Sequence, residues 1–168
     1  MKIFKFGGAS VKDAVSVKNV TNILQSEGTE NTLVVVSAMG KITNAFEDVI
    51  EAYYNKTDNL SEKLGVIEDF HKAIMDDLFE KEAPIYKEID ILLGELSWFL
   101  ARNTSQRYNY VYDQIICFGE LLSTKIVSAY LRKVGVSNHW FDVRNFIKTD
   151  SNYRDAKVDW KLTEKLIT

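Results

Sequence analysis

The sequence is poor in the residues that mark several protein classes. It has one cysteine, Cys117, in 168 residues, so no internal disulfide can form, and a lone thiol fits a reducing compartment. Its two histidines, His71 and His139, have no second His or Cys at metal-ligand spacing, which argues against a zinc site. One proline and eight glycines exclude a low-complexity or linker-rich chain. No apolar run reaches the roughly 20 residues that span a bilayer, and the N-terminus enters a strand pattern with no apolar signal segment. Basic residues number 21 against 24 acidic ones, a net charge of −3, so no basic face asks for nucleic acid. What remains is a chain that is 46% hydrophobic, long enough for one domain with its own core. We expect a cytoplasmic protein with no membrane or nucleic-acid partner and no metal held by its own side chains.

What is present starts at the first residues. Lys2-Ile3-Phe4-Lys5-Phe6 reads as a buried strand that breaks at Gly7-Gly8, with Ser10 as a candidate N-cap for a following helix. Glycines let a backbone approach a ligand closely, a helix start favours anions, and Lys5 would bring an ammonium to the same corner. That combination can hold a phosphate. A strand-Gly-Gly-helix corner is also a common structural turn, and the stretch is neither Gly-x-Gly-x-x-Gly nor Gly-x4-Gly-Lys-Ser/Thr.

Helical spacing runs from about Val11 to Glu27, and Gly28 is a natural stop after it. Thr32 to Ser37 is uniformly apolar, as in a central parallel strand covered on both faces. Strand, helix and strand make a βαβ unit, so the fold class is α/β with parallel neighbours. A second polar corner, Ser37-Ala38-Met39-Gly40-Lys41-Ile42-Thr43-Asn44, precedes a helix over about 45–54. Ligands of open α/β sheets gather at the carboxyl ends of strands, so the two corners reinforce each other.

Apolar spacing then gives two helices over about 60–102, a hairpin on or beside the sheet, with Pro84 in the first turn of the second. His71 falls on the polar side of the first and reads as solvated. One helix is expected from Val111 to Leu131, ended by Gly135, with Cys117 in the core. Within it, Phe118-Gly119-Glu120 is unusual, because mid-helix glycine costs about 1 kcal/mol relative to alanine and a carboxylate follows among apolar residues. Either Gly119 marks a close helix–sheet contact with Glu120 paired to a lysine, or Gly119 admits a ligand and Glu120 binds a cationic group such as an ammonium. Val136 to Val143 reads as a third strand and Asn145 to Lys148 as a short fourth, with no ligand role for His139. A polar loop over 149–157 follows, and Asp159 caps a helix from Trp160 that is still running at Thr168. A βαβ pattern should continue with another strand, so the chain is expected to be a fragment of a longer one.

Four motifs in order, Lys5-Phe6-Gly7-Gly8-Ala9-Ser10, Ser37 to Asn44, Phe118-Gly119-Glu120 and Trp140-Phe141-Asp142-Val143-Arg144, resemble the N-terminal part of the aspartate kinase catalytic domain, within the amino acid kinase family. Ala9 stands where that family usually has threonine. The resemblance implies a three-layer αβα sandwich with a mainly parallel sheet, here truncated. It also implies ATP-dependent phosphorylation of the β-carboxylate of L-aspartate, the first step toward lysine, threonine and methionine. By motif, Lys5 would be catalytic, and Lys5, Phe6, Gly7, Gly8 and Ser10 would bind the ATP phosphates, with Mg2+ held mainly by the nucleotide. Ser37, Thr43 and Glu120 would bind aspartate, the last through its ammonium. Asn44, Asp142 and Arg144 would order the surroundings. The resemblance places most adenine contacts and regulatory ACT domains in a second half absent from these 168 residues, so the piece is expected to have negligible activity alone and to belong to a homo-oligomer when whole. Glutamate, acetylglutamate and uridylate kinases share a lysine–glycine opening but not these other motifs. A stand-alone binding module on half of the fold is the alternative from another class.

Overall fold

The computed structural model describes residues Met1–Thr168. Strands β1 (Lys2–Phe6) and β2 (Thr32–Val36) pair in parallel, with Lys2 opposite Thr32 and Phe6 opposite Val36. Helix α1 (Ala14–Glu27) makes the crossover, and Gly28 ends it at φ +80°, a conformation glycine adopts without a Cβ penalty. The expected α/β class and parallel order are present. Ser10 is not the cap of α1, however. It lies in a 3-10 turn over Gly8–Val11, and its amide donates to the Gly7 carbonyl at 2.9 Å. Asp13 takes the cap instead, its carboxylate accepting from the Ser16 amide at 2.7 Å.

Strand residues alternate as a two-sided sheet demands. Phe6 and Val36 are buried, while Ile3, Leu33 and Val35 stay 63%, 45% and 43% exposed. The apolar run of β2 is thus covered on one face within this chain, not on both, and Lys5 stands on the open face beside Val35.

Helices α2 (Ile42–Asn55) and α3 (Leu60–Leu78) pack on each other, whereas α4 (Pro84–Arg102) packs on a later helix, α6 (Phe118–Lys133). Both helices of the 60–102 stretch are therefore present, with Pro84 at the start of α4, and each has a different main partner. The expected helix over 111–131 divides in two. Helix α5 (Tyr108–Ile116) ends at Cys117, and α6 starts at the next residue. The break lies two positions before Gly119, the one residue of the stretch without a side chain, and lets α6 press on the β2 corner.

No third or fourth strand forms. Residues 136–142 run along α6, tied by side chains: Asn138 donates to the Ser128 carbonyl at 3.1 Å and the Trp140 indole to the Thr124 hydroxyl at 3.0 Å. Lys125 sits 4.2 Å from the Trp140 ring centre and 2.8 Å from Glu88. Asp142 then accepts from the Arg144 amide at 3.0 Å and turns the chain into a 3-10 helix over Val143–Asn145. The β-propensity of Val, Trp and Phe yields to these contacts. In the loop over 149–157 a single antiparallel bridge joins Thr149 to Val158, and Asp159 caps α7 (Trp160–Ile167) by accepting from the Leu162 amide at 2.9 Å. No helix is long and apolar enough to cross a membrane.

His71 is a correction. It is fully buried in α3, with Nδ1 2.7 Å from the Ile67 carbonyl and Nε2 without a partner, and burial lowers its pKa to about 4. Its position abuts Ile67, Ile74 and Met75, which form the packed stripe of α3.

Candidate functional site

Both polar corners stand at the carboxyl ends of adjacent parallel strands, and their backbones touch. The Gly40 amide donates to the Gly8 carbonyl at 2.9 Å, and the Ser37 amide donates to the Phe6 carbonyl at 3.0 Å, one step past the strand pairing. A Cβ on Gly8 would lie 2.7 Å from the Gly40 oxygen and 2.8 Å from the Ala38 oxygen. Gly8 is therefore required by the opposing corner. Gly7 is different: nothing lies within 4 Å of where its Cβ would be. The amides of Gly7 and Gly8 donate to no carbonyl, and the exposed Lys5 ammonium has neither an ion pair nor a hydrogen-bond partner. Free N–H groups and a free cation on an open ledge suit an anion.

The second corner carries half-buried Ser37 and Thr43 and exposed Asn44. Thr43 and Asn44 lie in the first turn of α2, which starts earlier than the spacing suggested. Gly40 takes φ +55°, and Lys12 packs against it, its Cβ 3.4 Å from where a Gly40 Cβ would be.

Helix α6 seats Gly119 on the second corner, and Glu120 is the next residue along. A Cβ on Gly119 would lie 3.1 Å from the Ala38 Cβ and 3.4 Å from the Phe46 ring, so the close contact expected at Gly119 is real and its partners are the β2 corner and α2. Glu120 itself is exposed and pairs with no lysine, so it does not sit in an apolar surround. Sequence reasoning missed Ser123, fully buried, whose hydroxyl donates to the Ser37 carbonyl at 2.7 Å. The available signal was a serine on the buried stripe of α6 between Leu122 and Ile126.

Asp142 and Arg144 form their own unit. Arg144 donates to both Asp142 carboxylate oxygens, with Nη2 at 2.6 Å from Oδ2. That pairing holds the Asp142 carboxyl below the usual carboxylate range and raises Arg144. Arg144 also comes within 4.0 Å of the Cys117 sulfur, and burial pushes that half-buried thiol up. Arg144 borders a depression of about 440 Å³ with Trp98, Phe99 and Phe118, and Asn44 a separate one of about 570 Å³ with Glu47, Glu51 and Tyr112. Neither includes Lys5, Gly7, Gly8, Ser37, Thr43 or Glu120. Lys5, Gly7 and Gly8 form an open ledge at the sheet end next to Ser37, whereas Glu120, Asp142 and Arg144 lie around Cys117.

The model of the amino acid kinase family matches residues 1–168. Aspartokinase 2, chloroplastic, of Arabidopsis thaliana is 32% identical over 157 residues, covering 88% of this chain and 28% of that protein. The lysine-sensitive aspartokinase 3 of Escherichia coli is 30% identical, covering 94% of this chain and 34% of that protein. A crystal structure of E. coli aspartokinase III in complex with aspartate and ADP superposes with a TM-score of 0.85 at 29% identity, covering 99% of this chain and 36% of that one. The chain spans about a third or less of the length of these relatives.

Proposed function

The chain belongs to the amino acid kinase family, and we propose that it is the N-terminal part of the catalytic domain of an aspartate kinase. The reaction is transfer of the γ-phosphoryl group of ATP to the β-carboxylate of L-aspartate. The observation that carries this reading is the meeting of the Gly8 and Gly40 backbones, which places the Lys5–Gly7 ledge beside the Ser37–Thr43 corner.

A carboxylate is already ionised at neutral pH, so the attacking group needs no general base, and the ledge has none to offer. Its oxygen forms the new bond to phosphorus as the bond to the ADP oxygen breaks. Such a transfer asks for alignment and positive charge. Lys5 and the free amides of Gly7 and Gly8 supply both to the phosphates, and Mg2+ carried by the nucleotide supplies further charge. Phe6 and Ser10 flank this ledge. Ser37 and Thr43 hydrogen-bond aspartate, and Glu120, free of any other partner, takes its ammonium. Asn44, Asp142 and Arg144 keep an ordering role. The product feeds lysine, threonine and methionine synthesis in a cytoplasmic homo-oligomer, and the 168-residue piece alone turns over negligibly because the adenine contacts lie elsewhere.

The test is ATP turnover by the full-length protein with aspartate, glutamate or N-acetylglutamate, trapping any acyl phosphate as its hydroxamate. Aspartate-dependent ADP and hydroxamate are expected. Release with glutamate or N-acetylglutamate instead would reassign the substrate, and no release with any would favour a binding module.

A further inference from the structure

Helical serines and threonines commonly return their hydroxyl to the carbonyl one turn back. Thr124 does so to Glu120 at 2.7 Å, Thr21 to Val17 at 3.2 Å and Ser97 to Leu93 at 2.9 Å. Ser123 does not. Its hydroxyl leaves α6 and donates to the Ser37 carbonyl at 2.7 Å, and the side chain is fully buried. The Ser37 peptides are therefore held on both sides, the amide by β1 at 3.0 Å and the carbonyl by α6. Glu120 lies three residues before Ser123, on the neighbouring turn, and Gly119 is seated against Ala38. The first two turns of α6 thus have two anchors on the β2 corner, Gly119 before Glu120 and Ser123 after it.

We propose that Ser123 is a positioning residue: by holding the Ser37 carbonyl it fixes the Glu120 carboxylate relative to the Ser37–Thr43 corner. This rests on the reading of that corner and Glu120 as the aspartate site. Ser123 touches no substrate. It sets the spacing between the group that takes the ammonium and the hydroxyls that take the remainder of the amino acid. Gly119 alone cannot do so, because a van der Waals seat resists approach but not sliding, whereas a hydrogen bond is directional.

The experiment compares Ser123→Ala, Ser123→Thr and Ser123→Val in the full-length protein. Threonine and valine have nearly equal volume and differ in the hydroxyl, so that pair separates the hydrogen bond from crowding. Ser123→Ala and Ser123→Val are expected to raise the aspartate KM about tenfold, the effect of losing one net hydrogen bond, with kcat and the ATP KM within about twofold of wild type. Ser123→Thr should recover most of the aspartate KM. An unchanged aspartate KM in Ser123→Ala and Ser123→Val overturns the proposal. So does an equal rise of both KM values with Thr and Val alike, which marks a merely structural role. Hydrogen exchange of the unliganded full-length protein gives a readout independent of the reaction. Ser123→Ala and Ser123→Val should exchange faster than wild type in segments 37–44 and 117–124 alone, with Ser123→Thr restored. Wild-type exchange there in Ser123→Val also overturns it. Absence of aspartate-dependent ADP release in wild type would instead defeat the aspartate kinase reading, and the exchange data would still decide whether Ser123 holds the corner.

Discussion

Gly8 and Gly40 are bonded backbone to backbone, amide to carbonyl at 2.9 Å, leaving no room for a side chain on Gly8. The two strand ends of the βαβ unit are joined by this contact as well as by the sheet. The glycine pair of the first corner thus has divided roles. Gly8 makes the corner, and Gly7 leaves it open.

Substitution should separate the two. Gly8→Ala puts a methyl 2.7 Å and 2.8 Å from carbonyl oxygens of Gly40 and Ala38, backbone atoms that cannot swing aside, and should cost about 2–3 kcal/mol of stability. Gly7→Ala meets nothing within 4 Å, at a φ of −77° open to any residue, and should stay within about 0.5 kcal/mol of wild type. Urea denaturation of both variants checks this, and equal midpoints would contradict it. In the full-length protein Gly7→Ala should still raise the KM for ATP if the proposed reaction holds, because its methyl occupies the open ledge.

The buried His71 makes stability fall with acid. Its folded pKa of about 4 lies below the ordinary value of 6.5, so the unfolded chain binds the proton more readily. The contribution is fully present above about pH 6.5 and is lost as pH falls toward 4, amounting to about 3 kcal/mol at about 1.4 kcal/mol per pH unit. His71→Leu removes this component while leaving the carboxylates in place. The difference between wild-type and variant unfolding free energies, measured from pH 7.5 to 4, should slope in favour of wild type at the higher pH. A flat difference would contradict it.

Much of the fold was legible in the sequence because its signals were local and periodic. The two strands, α1, α3 and α4, Gly28, Pro84 and Asp159 each follow from apolar spacing or from one residue's backbone chemistry. What failed depended on tertiary contacts. Val136 to Val143 has strand composition, but Asn138 and Trp140 bind α6 and Asp142 turns the chain before a ladder can form. His71 has Asp69, Lys72 and Glu68 as neighbours in sequence, yet its own position faces the Ile67 and Met75 side. Ser10 was the expected cap, but the 3-10 turn after Gly7 takes it up and the helix is capped three residues later, by Asp13. For the candidate site, the motifs named the corners, but only the structure revealed Gly8 packed on Gly40 and Ser123 bonded to Ser37.

The thiol of Cys117 should be slow to react. It is half-buried, its sulfur donates to the Gln114 carbonyl at 3.5 Å, and burial holds its pKa above the ordinary thiol value. At pH 8 a smaller fraction is thiolate than in a free cysteine. Labelling by an aromatic disulfide should proceed several-fold slower than for a cysteine-containing peptide and should accelerate in denaturant. Peptide-like rates in the native protein would contradict the placement.

The central claim is that Lys5 and Glu120 belong to one phosphoryl-transfer site in distinct roles. Hydroxamate-trapped kinetics of Lys5→Ala and Glu120→Ala in the full-length protein test it most directly. Lys5→Ala should lower kcat at least a hundredfold with a nearly unchanged aspartate KM, and Glu120→Ala should mainly raise the aspartate KM, tenfold or more. Wild-type kinetics in both variants would contradict the account.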